Sequence, residues 1–286
     1  MGPSATILSD GARLHLQHGP IDLVIGADGA RKAAFDAATA RFQSILTELV
    51  AELAELRQPL TARTLVPKSA VARRMHQAAM PLRSAGYLTR MASVAGSVAD
   101  EVLQAMTQGA DLRRAYVNNG GDIAVHLTQD ASFTTAMMDH HGQSLGQIKL
   151  TGQDGVGGIA TSGRHGRSFS LGIADSVTVL AKTAAKADVA ATLIANAVDV
   201  SGHPAIARKA ASNLDDNSDL GDLPVVTQCG RLSESDAAQA LQNGYKRAKS
   251  YIDLSQISGS ALFLQGQSLA TPGHLLSLQN KEPHYV

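Results

Sequence analysis

Two stretches of this chain combine residue types suited to holding a phosphate and a metal. One is Asn118-Asn119-Gly120-Gly121-Asp122, set between the apolar runs Ala115-Tyr116-Val117 and Ile123-Ala124-Val125. Paired glycines within a strand lose backbone entropy and side-chain packing. They therefore mark a bulge, a tight hairpin at Asn119-Gly120, or the close approach of a ligand. A hairpin leaves only Tyr116 and Val117 with clear strand character on its first arm, which favours a bulge, a ligand, or both. The other stretch is Ala187-Asp188-Val189-Ala190-Ala191-Thr192, at the start of an alanine-rich helical segment. It puts a carboxylate and a hydroxyl one turn apart on one helix face, a pair of hard oxygens that suits Mg²⁺. The competing reading is an acidic residue favoured by the helix dipole, with a threonine bonding back to a carbonyl.

Two further segments have similar chemistry. Ala160-Thr161-Ser162-Gly163-Arg164-His165-Gly166-Arg167 places hydroxyls, glycines and two arginines in a turn, where backbone amides and guanidinium forks bind phosphate. An ordinary polar turn has the same composition. The helix start Met91-Ala92-Ser93-Val94-Ala95-Gly96-Ser97-Val98-Ala99-Asp100 is lined with small residues that admit a ligand or another helix. Other features carry less weight. Asp139-His140-His141 lacks companion acidic motifs and reads as a solvated loop. His15 and His18 do not share a strand face. Gly155, Gly157 and Gly158 precede a strand and not a helix, unlike a dinucleotide fingerprint. The single cysteine, Cys229, excludes an intramolecular disulfide and a cysteine metal cluster.

The elements that position these residues follow from composition and periodicity. Of 286 residues, 44% are hydrophobic and 17% charged, which describes a globular chain with ample core. Aromatics make up only 3% with no tryptophan, so the core is built from Ala, Leu, Val and Ile. Lys plus Arg and Asp plus Glu balance at 25 each, which argues against nucleic acid or an anionic membrane as the main partner. With no visible secretory signal or apolar run of ~20 residues, a soluble cytoplasmic protein is expected.

Two short strands are expected from Arg13 to Ile25 around Gly19-Pro20, closed by a turn at Ala27-Asp28-Gly29. Helical periodicity follows over 31–57, 71–80 and 91–106. Short extended runs then fall at 116–127, 147–150, 159–162, 168–173 and 176–181, a spacing that favours antiparallel pairing. A helix over 184–198, an irregular polar stretch over 203–222, a helix over 235–251 and a strand at 261–264 complete the chain. This order reads as α+β, not alternating βαβ. The apolar Leu262-Phe263-Leu264 is a candidate edge strand for a homodimer.

Read in order, the small-residue helix Val94 to Asp100, Asn118 to Asp122, Thr161 to Gly163, Ser176 to Val179 and Ala187 to Thr192 resemble the ApbE superfamily of FAD:protein FMN transferases, once labelled thiamine biosynthesis lipoproteins. The flanking ninety or so residues on either side match poorly, in the style of an uncharacterised cytoplasmic branch of that superfamily. The resemblance implies a duplicated architecture of the tunnelling-fold type. In it, residues 1–286 form a single domain of two packed α+β halves, roughly 1–110 and 111–286, with FAD or FMN in the cleft between. It also implies Mg²⁺ bound by Asp188, Thr192 and the backbone carbonyl of Ala95. Asn118, Gly120, Gly121, Asp122, Thr161, Ser162 and Gly163 would line the flavin site. No catalytic residue is assigned.

The chain departs from the transferases in two places. Gly96-Ser97 stands where they carry Lys-Gly, and Ser170 to Asp175 replaces their His-Ile-Leu-Asp-Pro segment. The expected function is a Mg²⁺-dependent enzyme that uses FAD, transferring FMN to a protein threonine or cleaving the pyrophosphate. The alternatives are a flavin or nucleotide binder without catalysis, or an accessory factor in sulfur or cofactor metabolism. The expected partners are a nucleotide ligand and a target protein.

Overall fold

The computed structural model describes residues 2–273 and 275–278. Alternating apolar residues build the strands β1 (Ser4–Ile7), β2 (Arg13–His18), β3 (Ile21–Gly29), β4 (Leu112–Asn119) and β5 (Asp122–Leu127). They continue as β6 (Ser132–Met138), β7 (Ser144–Thr151), β8 (Gly158–Ser162), β9 (Ser176–Ala181), β10 (Ile206–Ala210) and β11 (Pro224–Cys229). The last three are β12 (Gly259–Leu264), β13 (Gln267–Ala270) and β14 (Leu276–Leu278). The helices are α1 (Arg31–Ala51), α2 (Leu53–Leu56), α3 (Ala70–Ala79), α4 (Val94–Gly109), α5 (Ala184–Ala197) and α6 (Glu234–Asp253).

Nine strands form one sheet in the order β1-β2-β3-β4-β5-β8-β9-β12-β13, and every neighbouring pair is antiparallel. The mixed helix and antiparallel sheet make the fold α+β. Helices cover one face of this sheet. Leu14, Leu16, Leu23, Ile25, Ala115, Val117 and Ala124 pack there against α1, α3 and α4. Val177, Val179, Leu262 and Leu264 pack against α5 and α6. The alternate residues Ile123, Val125, Ile159, Leu180, Ala261 and Phe263 face the other way, onto the small sheet β14-β7-β6. Central strands buried on both faces explain why β9 and β12 carry apolar residues at nearly every position.

Several expectations are corrected. Residues 116–127 are not one bulged strand but two, joined by a two-residue turn with Asn119 opposite Asp122. Gly120 and Gly121 have φ of 65° and 108°, the positive values that a tight hairpin of this hand requires. The first arm is longer than its composition suggested, because Leu112 to Ala115 also pair with β3 and β5. Ala27-Asp28-Gly29 is the end of β3, with a bulge between Asp28 and Gly29, and not a turn. Residues 168–173 form no strand. Gly172 passes so close to the Ala195 carbonyl at the end of α5 that a Cβ would overlap it, while Leu171 N–H bonds Asn196 Oδ1 at 3.0 Å. The polar stretch 203–222 includes β10, paired with β11. Leu262-Phe263-Leu264 is no edge, since β12 lies between β9 and β13. Among the described residues no helix is long and apolar enough to cross a membrane.

Candidate functional site

Asp122 and Asp188 lie near enough on the helical side of the sheet for their charges to repel, where α4 packs against α5. Residue alternation puts Asn119 and Asp122 on that face, beside Val117 and Ala124. Asn119, only 4% exposed, donates from Nδ2 to the Ala95 carbonyl at 3.1 Å and so ties the hairpin to the first turn of α4. The next amide, Gly96 N–H, donates to Asp188 Oδ2 at 3.0 Å across 92 residues of sequence. Asp122 Oδ1 accepts from Thr161 N–H at 3.3 Å at the end of β8.

Small residues make this convergence possible. A Cβ on Gly96 would overlap the Ala184 carbonyl, and one on Gly158 would overlap the Thr183–Ala184 backbone. The N-terminus of α5 is therefore wedged between α4 and β8. Asp100, one turn along α4 from Gly96, accepts from Ala184 N–H at 3.0 Å and Ala185 N–H at 2.9 Å. It satisfies two of the four otherwise unpaired amides of that helix end. The Thr183 hydroxyl accepts from Lys186 N–H at 3.3 Å as the cap proper.

Burial controls the electrostatics. It raises Asp188 well above the usual carboxylate range, and the neighbouring Asp122 and Asp100 charges add to the rise. Burial also pushes Asp122 up to about 7, against the opposing pull of Thr161 N–H and the Arg167 guanidinium. Asp100 reaches about 6 from burial, held down by the amides of Ala185 and Ala184. Two desolvated carboxylates side by side are costly unless they share protons or are balanced by a cation.

The predicted site residues occupy distinct places. Ala95, Asp122 and Asp188 come together. Thr192 is half-buried one turn beyond Asp188 on the same face of α5. Gly120 and Gly121 form the hairpin turn, and the Arg167 guanidinium lies over Gly120 where a side chain would stand. Thr161 adjoins Asp122 through its amide, while its hydroxyl meets that of Thr178 at 3.0 Å. Ser162 ends β8 opposite Val177. Gly163 backs onto the Asp175 carbonyl so tightly that a Cβ would overlap it, beside the Arg164–Asp175 ion pair at 2.7 Å.

Asn118 points to the opposite face of the sheet, alongside Ile123, and its Oδ1 accepts from Gly121 N–H at 2.8 Å. Asn119, Asp100 and Arg167 also belong to the site, although residue type alone does not set them apart within their motifs. Strand alternation pairs Asn119 with Asp122 only once the hairpin is recognised. Among the described residues no three His, Cys, Asp or Glu side chains converge on one point that could hold a metal ion.

A family model described as "AbpE bacteria" matches residues 5–270. The chain belongs to this ApbE-like family. Its fold is that of the ApbE protein of Thermotoga maritima, with a TM-score of 0.51 over 90% of this chain and 96% of that one, at 12% identity. The UPF0280 protein of Methanopyrus kandleri is 34% identical over 165 residues, which is 57% of this chain and 64% of that protein. The UPF0280 protein of Methanothermobacter thermautotrophicus is 39% identical over 111 residues, 38% and 42% of the two chains. The match thus spans less than two thirds of the length of these relatives.

Proposed function

We propose that the Asp122/Asp188 cleft binds the diphosphate of FAD, or the phosphate of FMN, together with Mg²⁺, and that the protein is a Mg²⁺-dependent FAD-utilising enzyme. The reaction classes that fit are FMN transfer to a threonine of a target protein and cleavage of the FAD pyrophosphate. The observation that carries this reading is the half-buried, desolvated pair of carboxylates, whose mutual repulsion a divalent cation relieves. The donors suit such an ion. Asp188 accepts from Gly96 N–H through Oδ2 at 3.0 Å, and carboxylate oxygens carry further lone pairs that a cation can share. The Ala95 carbonyl, in the first turn of α4, accepts from Asn119 Nδ2 at 3.1 Å and stands next to the Gly96 amide that holds Asp188. Thr192 adds a hydroxyl from the next turn. These are oxygen ligands, as Mg²⁺ requires.

When bound, the ion supplies charge neutralisation at the phosphates. The protein's own residues do the positioning. The bare Gly120-Gly121 turn admits a ligand close to its backbone, and Arg167 offers a guanidinium above it. Asn119 and Asp100 hold α4, α5 and the hairpin at fixed separation. The reading takes the chain as one domain of two halves, 1–110 and 111–286, acting in the cytoplasm.

A second reading, a flavin nucleotide binder without transferase activity, has its own support at Gly96. The transferases carry a lysine there, and the contact with Ala184 leaves no room for any side chain. Incubation of purified protein with FAD and Mg²⁺, with product separation by chromatography, tests both. Release of FMN and AMP that disappears in Asp188→Asn supports the enzyme. Tight FAD binding without turnover, unaffected by removing Mg²⁺, selects the binder. A protein that neither binds nor turns over any flavin nucleotide eliminates both.

A further inference from the structure

The face of the sheet away from the helices carries a second pocket that the carboxylate cleft does not use. It is a groove of about 440 Å³ between β2, β3 and β4 on one side and β6 on the other. That volume lies within the range of small-molecule sites. Three guanidiniums line it, from Arg13, Arg31 and Arg114, against one carboxylate, Asp28. Arg114 Nη2 pairs with Asp28 Oδ2 at 2.6 Å, while Arg31 Nη2 stands 3.8 Å from the other oxygen. One carboxylate therefore serves two cations. Arg13 is held by Asp10, which does not line the groove. Against Asp10 and Asp28 the three guanidiniums leave one net positive charge. Arg31 Nε also donates to the Ala27 carbonyl at 2.9 Å and Arg114 Nη1 to the Ser132 carbonyl at 3.3 Å. All three side chains remain partly exposed.

One wall is aromatic, built from two rings tilted at 46° to each other. Tyr116 lies across Gly26, where a Cβ would overlap its ring, and contacts Phe133 at 5.5 Å between centroids. Thr135, on the same strand face as Phe133, and Asn118 add polar side chains to the lining. Guanidinium forks match the oxygens of a phosphate, and an aromatic wall accepts a planar ring.

We propose that this groove binds a small molecule that joins a phosphate monoester to a planar ring. The site is separate from the Asp122/Asp188 cleft, because strand alternation puts Asn118 and Tyr116 on one face and Asn119 and Asp122 on the other. Occupancy does not depend on a divalent ion, since the charge that attracts the ligand belongs to arginines.

Calorimetric titration of the full chain with AMP in EDTA tests the proposal, with adenosine and inorganic phosphate as comparisons. Wild type and Asp188→Asn are expected to bind AMP with the same Kd. Arg114→Gln weakens binding about tenfold by removing one charged fork. Thr135→Glu, on the same strand face as Phe133, weakens it at least as much while leaving the Asp28 ion pairs intact. Adenosine and inorganic phosphate each bind at least about tenfold more weakly than AMP. No binding of AMP at millimolar concentration would overturn the assignment. So would folded groove variants that bind as wild type does, or a loss confined to Asp188→Asn. Phosphate binding as tightly as AMP would remove the ring from the ligand.

Discussion

Replacing Asp122 with asparagine in the absence of divalent ions is expected to stabilise the protein at pH 8 and to do nothing at pH 4. Burial holds the Asp122 carboxyl at about 7 in the folded chain against an ordinary 3.8. Such a group keeps its proton in the folded state over a range where the unfolded chain has lost it. Stability is therefore full below about 4, falls as pH rises through the interval up to about 7, and is flat above it. The difference of about 3 pH units sets a ceiling of about 4 kcal/mol. Asp122 is only half-buried, which reduces this, and a gain of about 1–3 kcal/mol is expected from Asp122→Asn. For a chain of this size that corresponds to a rise of about 2–6 °C in Tm. Asparagine keeps an oxygen for the 3.3 Å bond from Thr161 N–H, so the substitution removes charge and little else. Differential scanning calorimetry in EDTA at pH 4.5, 6 and 8 reads the effect. The Asp122→Asn/Asp188→Asn double variant should gain less than the sum of the singles, because removing either charge relieves the other. An Asp122→Asn protein that melts at or below the wild-type temperature at pH 8 would refute the desolvated pair.

Mg²⁺ at about ten times its Kd should raise wild-type stability by about 1.4 kcal/mol, and the rise should vanish in Asp188→Asn when both are followed by thermal melting. Gly96→Ala is expected to cost about 1–3 kcal/mol, since its methyl group must displace the Ala184 carbonyl; urea denaturation measures this. Asp100→Ala leaves the amides of Ala184 and Ala185 unpaired at the buried end of α5 and should cost about 2–4 kcal/mol by the same assay. On the binder reading, covalent flavin is weak or absent on a threonine-bearing target incubated with the protein, FAD and Mg²⁺, because no side chain fits at Gly96; FMN transfer instead gives a strong signal. In-gel flavin fluorescence checks that outcome.

Much of the fold was legible in the residues themselves. The helical periodicity of Phe35, Phe42, Ile45 and Leu49 produces α1, and all four are buried. The Ala-rich run from Ala184 produces α5. Strands with weaker patterns were not legible. β6 alternates in exposure yet lies at the edge of a small sheet, and β10 is largely polar because it pairs only with β11. Such strands are held by partners distant in sequence, which local composition does not encode. Residues 168–173 show the converse. Their extended composition is overridden by hydrogen bonds to Asn196, Val198 and Val226, which give the backbone partners outside any ladder.

The candidate site divides along the same line. Residue types and order alone supplied the acidic groups, the paired glycines and the hydroxyl turn, because these depend on local chemistry and on spacing within single elements. Only the tertiary structure decided that Asp188 reaches Gly96, that Asn119 and not Asn118 shares a face with Asp122, and that Gly96 exists to let two helices touch. Those outcomes rest on strand register and helix crossing. A shift of one residue in register reverses which side chains face the cleft, and no local pattern specifies it.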